Sequence, residues 1–186
     1  AVTEAIVLKD ATSPERLLEE TATVALPLNP ELGLWAVYGD VRSQPPPDFS
    51  DYPSIRLPGP WISLTLPQME RALRQYGALV ARQILSTGVR VNYWDLGNEV
   101  DYGVAGVAVR SFDPTGYRPP DAVDPAIGQM TVLQLLLMPE TDRIAWLRQH
   151  LWPYVGRLLA AVAQAPRLVE PAEQHTGATQ RVVGPA

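Results

Sequence analysis

Only Val89 and Arg90 separate Gly88, which closes a helical pattern, from the apolar run that begins at Val91. A connection that short returns a helix directly to a strand. With a second apolar run ahead of the helix, it makes a β-α-β unit whose strands pair in parallel. The same order recurs along the chain. Ala5 to Leu8 reads as a strand. A helix follows, opened by Thr12, Pro14 and Glu15 and continued by Leu17, Leu18, Ala22 and Ala25. Gly33 to Asp40 is a continuous apolar run, too short for a helix and rich in β-formers, and reads as a buried strand.

The next helix opens at Thr65, with Gln68 at the reciprocal capping position and Pro67 in the first turn. Its apolar positions are Met69, Leu73, Tyr76, Val80 and Ile84, and Gly88 serves as its stop. Val91 to Leu96 is then a strand. A further helix is predicted over 141–165, kinked or broken at Pro153. Thr179 to Ala186 reads as a last strand. Between these elements lie two long loops, 41–64 with six prolines and Val100 to Gly128 with Asp113-Pro114, Pro119-Pro120 and Asp124-Pro125.

The long loops follow strands and the short ones follow helices. Parallel α/β folds bind ligands at the carboxyl ends of their strands, so the functional face is expected there. The expected fold is a single α/β domain over residues 1–186. A doubly wound sheet and a partial (β/α)8 TIM barrel both satisfy the pattern. A complete barrel needs about 250 residues, and 186 residues with four strands fall short of it.

Composition narrows the chemistry. There is no cysteine and there are two histidines, His150 and His175. Thiolate sites are therefore excluded, and a zinc site or a His-based triad has little material; no metal or cofactor is expected. The formal charge of −5 argues against a phosphate backbone as partner, because nucleic-acid affinity comes from clustered Lys and Arg. The apolar stretch from Val132 to Met138 is interrupted by Gln134 and closed by Pro139, so no membrane span is expected. The chain reads as soluble, with secreted and cytoplasmic locations both open.

The most specific stretch is Tyr93-Trp94-Asp95-Leu96-Gly97-Asn98-Glu99-Val100-Asp101-Tyr102-Gly103, in which a strand ends in an amide and a carboxylate. This stretch resembles the fourth strand of the (β/α)8 glycoside hydrolase superfamily, in its endo-galactanase-like or arabinofuranosidase-like branches. The helix from Leu64 to Gly88 is similar to the one preceding that strand, and Arg181 to Ala186 looks like a fifth strand. The resemblance covers roughly strands 2 to 5 of such a barrel.

It implies hydrolysis of glycosidic bonds in a β-linked poly- or oligosaccharide, with retention. Glu99 matches the general acid/base, and Asn98 the residue that holds a sugar hydroxyl. Asp40, at the end of its strand, is expected to contact substrate, and Trp61 and Tyr102 to offer sugar-stacking faces. The family's second carboxylate, the nucleophile, closes a seventh strand that has no counterpart here. Glu140 stands just ahead of a helix, and Glu170 and Glu173 lie in a Pro-containing connection. The resemblance thus implies half of a two-carboxylate site, and self-association or pairing with a complementary segment is expected. The alternative is a non-catalytic carbohydrate-binding or structural α/β module. A solvated polar turn is the plainer account of Asn98 and Glu99 taken without their context. Trp146 and Trp152 read as packing residues, and His150 as a helix-end residue.

Overall fold

A computed structural model of the chain describes residues 31–32, 46–91, 94–96, 100–110 and 123–169. Two long helices dominate it. α1 spans Leu66–Ser86. At its start the Thr65 N–H donates to Gln68 Oε1 at 2.7 Å and the Thr65 hydroxyl to the same oxygen at 2.9 Å. Pro67 falls in the first turn, where its missing N–H leaves no bond unmade. Leu66, Met69, Leu73 and Ile84 recur at helical spacing and are buried. Thr87 caps the other end by donating its hydroxyl to the Ile84 carbonyl at 2.7 Å, and Gly88 turns the chain away at φ +82°. The sequence reading of this helix holds at both ends.

The helix predicted over 141–165 is two helices. These are the last two in the chain, Glu140–His150 and Trp152–Val169. They meet at the fully buried Leu151. Pro153 forces the break, since it has no N–H to continue the first helix, and sits in the opening turn of the second. Val155, Leu158, Leu159 and Val162 of the second helix are buried, and this helix makes its main packing against α1. Each such side chain contributes about 1.5 to 3 kcal/mol of burial. Phe49, Tyr52 and Tyr76 pack against the same core.

The strands are short. β1 (Glu31–Leu32) pairs in parallel with β2 (Asp95–Leu96), in the register Glu31↔Asp95 and Leu32↔Leu96. A 3-10 turn over Val100–Tyr102 comes after β2. It leads into an antiparallel hairpin of β3 (Gly103–Val104) and β4 (Val107–Ala108). The hairpin turns on Ala105 and Gly106, both at positive φ, +49° and +75°. That pair of angles matches the right-handed twist of a tight hairpin. Gly103, at φ +136°, admits no other residue, because a Cβ there would fall 2.2 Å from Ala108 Cα.

Beyond β4, the Arg110 N–H donates to the Met130 carbonyl and the Val132 N–H to the Arg110 carbonyl, both at 2.9 Å. These bonds hold the hairpin to the next two helices, α2 (Pro125–Gln129) and α3 (Val132–Leu137). Thr131 and Gln134 cap α3 reciprocally, at 2.9 and 3.1 Å. Val132 and Leu135 of α3 are buried, while Leu133, Leu136 and Leu137 are exposed, Leu137 to 77%. The helices Glu140–His150 and Trp152–Val169 are α4 and α5.

The expected α/β architecture, a partial (β/α)8 TIM barrel of parallel strands alternating with helices, is overturned. The described residues are mostly helical, with two separate two-stranded ladders and no barrel. The physical reason lies just beyond β2. Two residues of strand give way to a 3-10 turn, and successive positive φ angles at Ala105 and Gly106 fold the chain back antiparallel. A long loop from Val100 to Gly128 is likewise not what forms, since the hairpin and most of α2 occupy its described part. The strands read at Ala5 to Leu8, Gly33 to Asp40 and Thr179 to Ala186 lie outside the described residues.

Candidate functional site

Of the five residues that the sequence singles out, Glu99, Asn98 and Asp40 lie outside the described residues. The described residues nearest Glu99 are 94–96 and those from Val100 onward. Trp94, Leu96 and Val100 are all buried, Trp94 to 2% exposure. Leu96 is held in β2 by its pairing with Leu32. Asp101 and Tyr102 come next, both half-buried. The indole N–H of Trp152, the first residue of α5, donates to the Asp101 carbonyl at 3.1 Å. The Tyr102 carbonyl accepts from the Val109 N–H at 3.0 Å. Tyr102 packs against the core without being fully buried.

Trp61 corrects an expectation. It offers no open face to a sugar, because it is only 6% exposed. Its indole N–H donates to the Ala105 carbonyl at 2.8 Å, and Phe49 packs edge-on against it at 5.8 Å. A buried indole needs a partner for its one donor, and here the partner is the hairpin tip. Trp61 therefore belongs to the interior that braces the segment after Glu99.

The same aromatic group ties the proline-rich segment to α1. Phe49 and Tyr52 approach Tyr76 at 5.9 and 5.2 Å. Burial, and then the neighbouring Tyr52, push the Tyr76 hydroxyl up to about 12. Burial raises Tyr52 as well, with Asp51 adding to it. Both rings stay protonated across the neutral range and act as packing groups there.

One pair has no counterpart in the sequence reading. His150 Nδ1 lies 3.0 Å from Asp124 Oδ2, and Asp124 Oδ1 accepts the Ala126 N–H at 2.9 Å. A carboxylate oxygen accepts, so in this bond Nδ1–H is the donor. Trp146, one turn earlier on α4, tilts against the imidazole at 5.2 Å. The signal in the sequence is Asp124-Pro125, an N-cap followed by proline at the first helical position. Nothing in the sequence reveals that His150, 26 positions away, meets that cap. Among the described residues no group of three or more His, Asp or Glu is placed to hold a metal ion, and no helix is long and apolar enough to cross a membrane.

No protein-family model, curated protein or solved structure matches the chain.

Proposed function

We propose that the chain acts on a carbohydrate, with Glu99 as the proton donor in cleavage of a β-linked glycosidic bond and Asn98 as a hydrogen-bond partner for a sugar hydroxyl. The observation that carries this reading is the frame around Gly97-Asn98-Glu99. The triplet leaves the end of a paired strand and is bounded by buried Leu96 on one side and buried Val100 on the other. A general acid near neutral pH needs its carboxyl held in the protonated form, and desolvation is one way to achieve it. In the step itself, the Glu99 proton passes to the glycosidic oxygen as the bond from that oxygen to the anomeric carbon breaks. The electron pair of that bond leaves with the alcohol, and positive charge builds on the sugar ring. Completing the reaction requires a second carboxylate that either captures the sugar or activates water.

The test is hydrolysis of aryl β-galactosides, aryl arabinofuranosides and β-linked oligosaccharides by the chain and by Glu99→Gln. Removing a general acid is expected to lower the rate on oligosaccharides by about 10²- to 10⁴-fold. The loss is expected to be much smaller for dinitrophenyl glycosides, whose leaving group needs no proton. Equal losses on both substrates would remove the acid role from Glu99. Binding of oligosaccharide without turnover, read by calorimetry, would assign the chain to the non-catalytic alternative.

A further inference from the structure

α1 buries Met69, Leu73, Gly77, Ala81 and Ile84 and exposes Arg71, Arg74 and Arg82. With about 3.6 residues to the turn, Arg82 stands within about 20° of Arg71 and about 16 Å further along the axis, while Arg74 lies one turn from Arg71 and about 60° to the side. The three arginines therefore share one face. Among the described residues, ion pairs join Arg157 to Glu70 and His150 to Asp124, and none reaches these arginines. Glu70 is the one acidic residue of α1, and Arg157 takes it. Asp48 and Asp51, exposed on the segment that packs against Tyr76, form no ion pair with the stripe. The helix does not account for the stripe either. Cations steady a helix from its last turn, and the last turn of α1 carries no basic residue. Side chains three or four positions apart attract when their charges are opposite, whereas Arg71 and Arg74 repel at that spacing.

We infer that the Arg71, Arg74 and Arg82 face of α1 is a docking surface for an acidic helix of a partner protein. The argument is charge complementarity along a line. The face is positive in a chain whose formal charge is −5, and guanidinium groups take carboxylates two bonds at a time. A helix laid along α1 has the same rise per residue, so carboxylates spaced as the arginines are meet all three. Ala78, nearly in line with Arg71 and Arg82, is half-buried and carries only a methyl group, which leaves room for a second helix at about 8 to 10 Å between axes. Nucleic acid fits less well, because its binders neutralise many phosphates through a broad basic patch, and α1 offers three arginines. A membrane surface fits less well too. Helices that lie on a bilayer set large apolar side chains opposite their cations, free to enter it. Here the exposed large apolar side chains among the described residues, Ile62, Leu133, Leu136 and Leu137, all lie off α1.

The test compares the full chain with a variant carrying Arg71→Gln, Arg74→Gln and Arg82→Gln. The probe is a labelled, alanine-based helical peptide with glutamates at i, i+3 and i+11, and its control has glutamines in those places. Binding is read by fluorescence anisotropy at low salt. The parent is expected to prefer the glutamate peptide by about tenfold, as three exposed ion pairs allow, and the preference should shrink as salt rises. The variant should lose it while keeping a thermal midpoint within a few degrees of the parent. A chain with Arg71→Glu, Arg74→Glu and Arg82→Glu should prefer the same peptide with lysines in place of the glutamates, a reversal that a merely structural role for the arginines does not produce. No preference in the parent, or one that survives in the glutamine variant, would overturn the inference. Tighter binding, through the same arginines, to a short DNA duplex or to vesicles of equal parts phosphatidylserine and phosphatidylcholine would overturn it in favour of a nucleic acid or a membrane. Self-association seen by sedimentation in the parent and lost in the variant would overturn it in favour of a second copy of the chain.

Discussion

Arg157 on α5 donates its Nε–H to Glu70 Oε1 on α1 at 2.6 Å. The two ends of this ion pair sit differently, since the arginine side chain is 54% exposed and the glutamate only 18%. Solvent screening at the arginine limits the pair to at most about 1 kcal/mol. The asymmetry also predicts an order. Arg157→Ala strands a partly buried carboxylate and should cost more than Glu70→Gln, which leaves a cation still in water. Urea unfolding of both single variants and the double variant measures this, and the coupling should shrink in about 1 M salt.

Gly103→Ala is expected to be severe. The added methyl would meet main-chain and side-chain atoms of Ala108 at 2.2 Å, and the residue would have to hold φ +136°. Neither strain can be relieved by rotating a side chain, so the loss should exceed about 3 kcal/mol. A urea midpoint close to that of the parent would show that β3 and β4 do not close on each other at Gly103 and Ala108.

Alkaline pH should weaken the fold through Tyr76. Its hydroxyl lies at about 12 in the folded chain against an ordinary 10.0, so the folded state binds the proton more tightly than the unfolded one. The stabilisation is fully present below pH 10 and is lost as pH rises toward 12, on the order of 2 kcal/mol in all. Absorbance at the tyrosinate band is the measurement. The step missing from Tyr76→Phe should sit near 12 in the native protein and near 10 in urea.

The elements legible in the sequence are those whose instructions are local. Thr65, Pro67, Gln68 and Gly88 announce both ends of α1 within a few residues, and Pro153 announces the break between α4 and α5. The same Thr-x-x-Gln box opens α3, yet Gln134 reads as an interruption in an apolar stretch, because a single polar residue among leucines looks like noise until Thr131 is paired with it. The β3–β4 hairpin is hidden for another reason. Ala105 holds a positive φ that glycine or asparagine usually signals, and both faces of the hairpin are apolar, so no alternation marks its strands. The expectation of a barrel comes from short apolar runs, and such runs do not by themselves distinguish a long parallel strand from two residues of strand and a turn.

The candidate site divides along the same line. The chemistry proposed for Gly97-Asn98-Glu99 rests on residue types alone, and those three residues lie outside the described residues. The role of Trp61 is not legible in the sequence, since position in a proline-rich segment says nothing about burial, and only the fold shows its N–H meeting Ala105. The pairing of His150 with Asp124 is invisible for the same reason, being a contact between elements.

The buried hairpin also bears on motion. Backbone amides exchange with water only when some opening exposes them, and the size of the opening sets the rate. β3 and β4 are two residues each, yet the hairpin lies under Trp61 and against α5. Its amides cannot reach solvent by fraying, as those at a helix end do. They wait for the aromatic cover and α5 to separate together, so the slowest protons of the chain should belong to its shortest elements.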